Sequence, residues 1–336
     1  MKFYAILVLL VTSLLASCSK KEEEKCAFVP NVGDVSVDIQ LESLEDSLPA
    51  ITTKKQLVDF FGRHPVIRDK FFGRDQYPND SVFINELYNR FTNPYLDTLL
   101  IETHKVFSDL SELKKQFNEA FTNIKYYYPA FKAPKIQTII SGFQTDLLVS
   151  DSLIVVGLDY YLGKGAKFRP QLYEYMLRRY TKDFIVPSVM LLYGIDAKSN
   201  KTNVTDNTVL ADMIAYGKAY YFAKRMLPCV PDSIFIGYQT EEMKGSRNNE
   251  EKIYRRLIDT EVLYSTSHKI KEKYISERPK TLEIGEKCPG RIGTWIGWRI
   301  IDSYSEKNPE KSLPEIMSLP NPEKVFKDSK YRPANK

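Results

Sequence analysis

Apolar residues recur at helical spacing through most of this chain and at strand spacing in only a few short places. Thr52 or Thr53 caps a helix that runs to Phe61. Ser81 to Phe91 carries Val82, Leu87 and Phe91 on one face, and Asp97 to Val106 reads as a further helix. Ser111 opens another, whose positions Leu113, Phe117, Phe121 and Ile124 line one stripe as far as Tyr126. Residues 62–80 hold aromatics, Gly73 and Pro78, and read as irregular. The texture then changes. Lys135 to Ser141, Asp146 to Val149 and Leu153 to Gly157 are three short strand candidates with turn residues between them. Val35 to Leu41 alternates apolar and polar, which predicts one half-buried strand more.

Beyond Arg169 nearly everything reads as helix. Tyr173 to Arg179 and Asp183 to Tyr193 are helical, the second kinked or divided at Pro187. Asn207 to Leu227 sets Leu210, Met213, Ile214, Gly217 and Tyr221 in one stripe. Thr240 to Met243 and Glu250 to Leu263 follow, with a polar loop over 244–249. The stretch from Glu286 to Tyr304 holds both tryptophans, Trp295 and Trp298. It reads as a turn at Cys288-Pro289-Gly290 and then a helix through Arg291 and Ile292. Gly293 and Gly297 lie one helical turn apart, so a bare backbone strip faces a close neighbour. A glycine in a helix costs about 1 kcal/mol against alanine, and two of them point to packing. Residues 308–336 contain five prolines and read as a loosely attached tail. The expected architecture is α+β: predominantly helical with one small β-sheet, in a single globular unit over 33–307.

The N-terminus has its own pattern. Met-Lys-Phe-Tyr precedes an apolar run from Ala5 to Leu15, which ends in Leu15-Ala16-Ser17-Cys18. One basic residue, a short apolar run and small residues at the end make a secretory signal, residues 1–17. Its last four residues resemble the lipobox of bacterial lipoproteins. That resemblance implies cleavage before Cys18, which then carries acyl chains, palmitate among them, as the membrane anchor. Several chains anchor far more firmly than one. Residues 18–32 begin with mixed lysines and glutamates and read as a solvated tether. The same tract also resembles the acidic run that sends lipoproteins of Bacteroidetes to the cell surface. No other run approaches the ~20 apolar residues of a membrane-spanning helix. The lipid at Cys18 is therefore the one expected attachment to the membrane.

Composition adds limits. Of the 336 residues, 43% are hydrophobic and 12% aromatic, enough for a sizeable core. The net charge is +5, with basic and acidic residues interspersed, so no basic stripe points to nucleic acid. Cys26, Cys229 and Cys288 remain besides Cys18. Cys229 and Cys288 each lie beside a turn and are candidates for a disulfide in an exported protein, although an odd count leaves one thiol over.

Catalytic patterns are hard to find. His64, His104 and His268 are far apart, and none has a second histidine at zinc-ligand spacing. A Gly-x-Ser-x-Gly elbow is absent. Gly163-Lys164-Gly165 lacks the upstream glycine and following hydroxyl of a phosphate loop. No catalytic residue, cofactor or metal ligand is therefore expected. Glu241-Glu242 and Glu250-Glu251 are the carboxylates that an acid–base enzyme could use, though adjacent acids more often form a solvated face. Tyr160, Tyr161 and Tyr221 are candidates for the lining of a peptide-binding cleft, or for plain packing. Asp46-Ser, Asp80-Ser, Asp97-Thr, Asp151-Ser and Asp232-Ser, each followed by an aliphatic residue, resemble an O-glycosylation pattern of exported Bacteroidetes proteins.

Several motifs together carry a wider resemblance. They are the lipobox, Gly157-Leu-Asp-Tyr-Tyr-Leu-Gly163, Ile214-Ala-Tyr-Gly-Lys-Ala-Tyr-Tyr-Phe222 with Leu227-Pro228, Asn249-Glu-Glu-Lys-Ile-Tyr254, Leu263-Tyr-Ser265, and Pro289-Gly-Arg-Ile-Gly-Thr-Trp-Ile-Gly-Trp298. In this order the chain resembles the GldB family of gliding-motility lipoproteins of Bacteroidetes, with Tyr254 where that pattern has tryptophan. The resemblance implies a cell-envelope lipoprotein, at the outer membrane more than the inner, periplasmic or surface-exposed. It also implies a non-enzymatic role among the envelope proteins of a motility or secretion apparatus. It singles out Gly217, Lys218, Pro289, Gly290, Arg291, Gly293, Trp295, Gly297 and Trp298 as structural motif residues. The family is further similar to zinc metallopeptidases in its order of elements, which implies a degenerate zincin-like fold. The alternative function is then a peptidase-like fold that binds or hydrolyses peptides or cell-wall material. The place of its site helix falls near Tyr180 to Tyr193 and holds no histidine, so the similarity implies fold and not activity.

Overall fold

The computed structural model describes Cys26 and residues 29–333. Cys18, the expected signal peptide and most of the expected tether lie outside the described residues.

Strand β1 (Leu41–Ser43) is followed by helices α1 (Lys54–Arg63), α2 (Asp80–Phe91), α3 (Tyr95–Val106) and α4 (Ser111–Tyr127). Then come β2 (Lys135–Ile139), β3 (Leu147–Val149) and β4 (Leu153–Gly157). The remainder is helical: α5 (Glu174–Leu177), α6 (Ile185–Ile195), α7 (Val209–Met226), α8 (Asp232–Ile236), α9 (Thr240–Asn248) and α10 (Glu250–Asp259). It ends with α11 (His268–Tyr274), α12 (Ile292–Lys307), α13 (Leu313–Met317) and α14 (Pro322–Ser329). The expected α+β class, mostly helical around one small sheet, is the observed one.

The sheet has the order β1-β2-β4-β3. β1 and β4 run parallel to β2, with Leu41 and Ile154 opposite Ile136, and β3 closes the edge antiparallel to β4. Ile136, Ile139, Ile154, Val155 and Val156 are fully buried. A strand covered on both faces reads as a continuous apolar run, as β4 does from Leu153 to Val156, while β2 also buries Gln137 and Thr138. α4 buries the predicted stripe of Leu113, Phe117, Phe121 and Ile124. Thr53 caps α1 in a capping box with Gln56, leaving neither partner of the helix start unpaired.

Five expectations need correction. The strand expected over 35–41 forms only at Leu41–Ser43; Ile39 is buried, and Gln40 O accepts from Ile136 N at 2.8 Å just before the strand begins. Residues 62–80 are not wholly irregular: Ile67–Phe71 and Arg74–Gln76 form short helical turns, and Phe71 and Phe72 join the core. Pro187 neither kinks nor divides its helix. It is the third residue of α6, where no backbone N–H needs a partner inside the helix. The polar loop over 244–249 is mostly α9, a helix with only Met243 and Ser246 buried. The loosely attached tail is a packed element. α13 and α14 bury Leu313, Ile316, Met317 and Val325, and Tyr331 beyond them is buried too.

Candidate functional site

The residues singled out by sequence meet where α7 crosses α12. A Cβ placed on Gly297 would fall on the carbonyl oxygen of Met213, and one on Gly217 would fall on the backbone of Gly297. Both glycines are thus required by the close approach of two backbones. Gly293 packs in the same way against Tyr274, whose carbonyl oxygen would lie 2.9 Å from an added Cβ. The expected close neighbour of the glycine strip is therefore α7 on one side and the end of α11 on the other. Trp298 stacks on Tyr220 at 5.2 Å between ring centroids and meets the edge of Phe235 at 6.2 Å. Trp295 is fully buried.

The turn before α12 is held by side chains from three segments. Tyr238 Oη donates to Gly290 O at 2.7 Å, and Thr281 Oγ1 donates to Pro289 O at 2.9 Å. Arg291 takes a left-handed φ of 58° at the helix start. Its guanidinium donates to Ile236 O and approaches Glu277 Oε2 at 3.5 Å. Arg179 binds the same carboxylate at 2.6 Å, so Glu277 ties α5's end to α12's start.

Lys218 faces away from this crossing, toward the C-terminal segment. It has no exposed surface. Its Nζ donates to Leu319 O at 2.5 Å and reaches Met317 O at 3.4 Å. These carbonyls lie at the end of α13, where helix geometry leaves acceptors without partners. Burial pushes the ammonium down to about 7. Gly217, Lys218 and the 289–298 segment thus form one buried joint among α7, α12 and the C-terminal segment. None of these residues lines either of the two cavities described below.

The other candidates separate in space. Glu242 closes the capping box of α9 and pairs with Arg178 at 2.7 Å. Glu250 accepts from Tyr331 Oη at 2.7 Å and from Arg299 Nε at 3.4 Å, and Glu251 pairs with Arg255. Each of these three glutamates is taken up by a structural partner. Tyr160 donates to Phe143 O at 2.7 Å and packs against Tyr180, as does the buried Tyr161, while Tyr221 meets Ser305 Oγ at 2.6 Å. The three tyrosines do not line one cleft. His64 packs on Phe60 at 4.6 Å, and burial lowers its pKa; His104 pairs with Asp46 and His268 with Glu272. Among the described residues no group of three His, Cys, Asp or Glu side chains could hold a metal ion. Ser81 and Ser152, in two of the glycosylation-like triplets, are exposed; Ser47, Thr98 and Ser233 are half-buried.

The expected pairing of Cys229 with Cys288 is also corrected. Cys229 is bonded to Cys26, and Cys288 is a buried free thiol whose pKa burial raises to about 12.

Two cavities are lined by none of the candidate glutamates, histidines or cleft tyrosines. One, of about 590 Å³, lies between residues 197–206 and 320–323. The other, of about 470 Å³, is walled by Ile124, Tyr128, Phe131, Tyr193 and Phe222, with Asp151 and Lys198 paired at its edge. Aromatic walls with a polar edge suit an apolar or aromatic group of a ligand. Glu250 and Glu251 line neither cavity. The walls come from four separate stretches of chain, and no spacing within any of them signals the convergence.

The chain was compared with known proteins. Residues 25–333 match the family described as gliding motility protein GldB. The chain belongs to the GldB family. The match takes in the α7–α12 joint, both cavities and the C-terminal segment down to Pro333. No curated protein and no solved structure matches the chain. A cell-envelope location fits a lipoprotein family of gliding motility. Among the described residues no helix is long and apolar enough to cross a membrane.

Proposed function

We propose that this GldB-family protein is an envelope lipoprotein held by lipid on Cys18, and that it serves as a non-enzymatic component or accessory of a motility- or secretion-linked complex of envelope proteins. The family match over residues 25–333 is the observation that carries the reading. The placement of the candidate acids supports it. Glu242, Glu250 and Glu251 are each bound to a structural partner, and neither Glu250 nor Glu251 lines either cavity.

The test is deletion of the gene in its own host, together with affinity purification of the tagged protein from its membranes. Loss of gliding or of linked secretion, with specific envelope proteins recovered alongside, is the expected result. Unchanged movement and secretion, with no envelope protein recovered, would sink the proposal.

A further inference from the structure

The chain between the expected lipid and the folded domain is shorter than its sequence suggests. Cys26 is bonded to Cys229, in the turn that follows α7. Cys18 lies eight residue steps before Cys26. At about 3.3–3.6 Å per residue such a leash spans at most ~29 Å. Without the bond, the next point held by strand pairing is β1, which begins at Leu41. That is twenty-three steps from Cys18, a reach of roughly 80 Å.

Two helix ends meet beside Cys229. Asn123, in the last turn of α4, donates from Nδ2 to the carbonyl oxygen of Met226, the last residue of α7, at 2.8 Å. Tyr127 is the last residue of α4, and Arg225, in the last turn of α7, donates to Tyr221 Oη at 2.7 Å. Tyr126 packs edge-to-face on Tyr127 at 5.0 Å and is 40% exposed. Cys229 is itself exposed. Tyr126, exposed beside the half-buried Tyr127, offers an apolar ring with a polar tip, the chemistry that suits the boundary between lipid chains and water.

We propose that the Cys26–Cys229 bond turns this end of the domain, Tyr126, Tyr127 and the Cys229 turn, toward the lipid surface that carries the anchor. The inference rests on the lipid at Cys18 proposed above. The bond then sets the orientation of the domain, and its opposite end is left to face partners.

The mature, lipidated full chain in phosphatidylethanolamine/phosphatidylglycerol vesicles provides the test, with bromine on the acyl chains as quencher. Tyr126→Trp places a reporter on the proposed face. Val204→Trp places one before the start of α7, at a site 82% exposed. The 18 residues of α7 separate these two ends by about 27 Å. Trp295 and Trp298 are buried and contribute the same background to both variants. Quenching at position 126 should be at least twofold that at position 204. The difference should vanish in the Cys26→Ser, Cys229→Ser background, or on reduction of the assembled protein if that double variant does not fold. Equal quenching at the two positions, or a difference that survives loss of the bond, overturns the orientation. A protein with no acyl mass on Cys18 that fails to float with the vesicles overturns the anchor itself, and the orientation with it.

Discussion

Gly297→Ala and Gly245→Ala should move the stability of this protein in opposite directions. Each glycine lies inside a helix, α12 and α9 respectively. Helix propensity alone favours alanine by about 0.8–1 kcal/mol at both sites. At Gly245 nothing lies within 4 Å of an added Cβ, so that gain should appear almost whole, as ~0.5–1 kcal/mol of added stability. At Gly297 the added methyl falls on the Met213 carbonyl. The obstacle is backbone, so no side chain can rotate away, and α12 must move off α7. Overpacking of this kind costs about 1–3 kcal/mol, occasionally more. A gap of even 0.5–1 Å forfeits about a quarter to a half of each contact's dispersion well. The buried side chains along this crossing include Ile214, Tyr220, Trp298 and Ile301. A net loss of about 2 kcal/mol, the upper part of that range less the propensity gain, is therefore expected at Gly297. Urea denaturation of both variants, read as midpoint shifts at unchanged slope, measures the pair. If Gly297→Ala stays within ~0.5 kcal/mol of the parent, or both variants shift the same way, the reading of the crossing is wrong.

Four further tests address other contacts of the fold. Lys218 loses its proton near pH 7 in the folded protein, while in the unfolded chain it keeps it to about pH 10.4. The lysine's contribution to stability should then rise by up to about 2 kcal/mol between pH 7 and 9, a slope that Lys218→Met should remove in urea titrations at the two pH values. Loss of the disulfide should cost nearer 2 kcal/mol than the ~5 kcal/mol of the chain-entropy estimate for a 203-residue separation, because the N-terminal segment is freed in the folded state as well; thermal melts with and without reductant read it. Thr53→Ala should cost about 1 kcal/mol by removing the cap of α1. Truncation after Asn308 should abolish soluble expression, since it strips away Leu313, Ile316, Met317, Val325 and Tyr331, all buried, at about 1.5–3 kcal/mol for each large apolar side chain; a soluble, cooperatively melting product would refute the packed tail.

The sequence exposed the features that depend on local period. The stripe of α4, the two buried strands and the glycine strip of α12 are all visible as spacing. It misled where one residue type serves two structural ends. Pro314 is the second residue of α13 and Pro322 the first of α14, in the first turn, where proline is tolerated because no backbone N–H needs a helical partner. The Ser312–Glu315 capping box and the Asn321 cap were legible signs of these helices. The polar stretch over 244–249 is polar because α9 buries so little of its surface, and a mostly exposed helix carries a weak stripe. Cys229 was legible as a disulfide candidate but its partner was not, since pairing follows from the fold and Cys26 lies far along the chain from Cys229. The aromatic cavity escaped for a similar reason: Tyr128, Tyr193 and Phe222 belong to three different segments.

Many of the residues that the sequence singled out are also residues that hold the helices together. Gly217 and Gly297 set the distance between α7 and α12, Lys218 holds the end of α13, and Arg291 with Tyr238 fixes the start of α12. A substitution at any of them alters folding before it alters a surface. Loss of function from such a variant therefore locates no partner site, however well the residue matches the family pattern. A partner surface has to be sought where a change leaves the melt intact. Lys198 qualifies, because it is largely exposed beside the aromatic cavity and its ammonium pairs with the exposed Asp151, and an exposed ion pair contributes little to the fold. If Lys198→Glu keeps the parent melt but loses envelope partners in co-purification, the cavity edge is part of the contact. If partners are retained, the contact lies elsewhere on the domain.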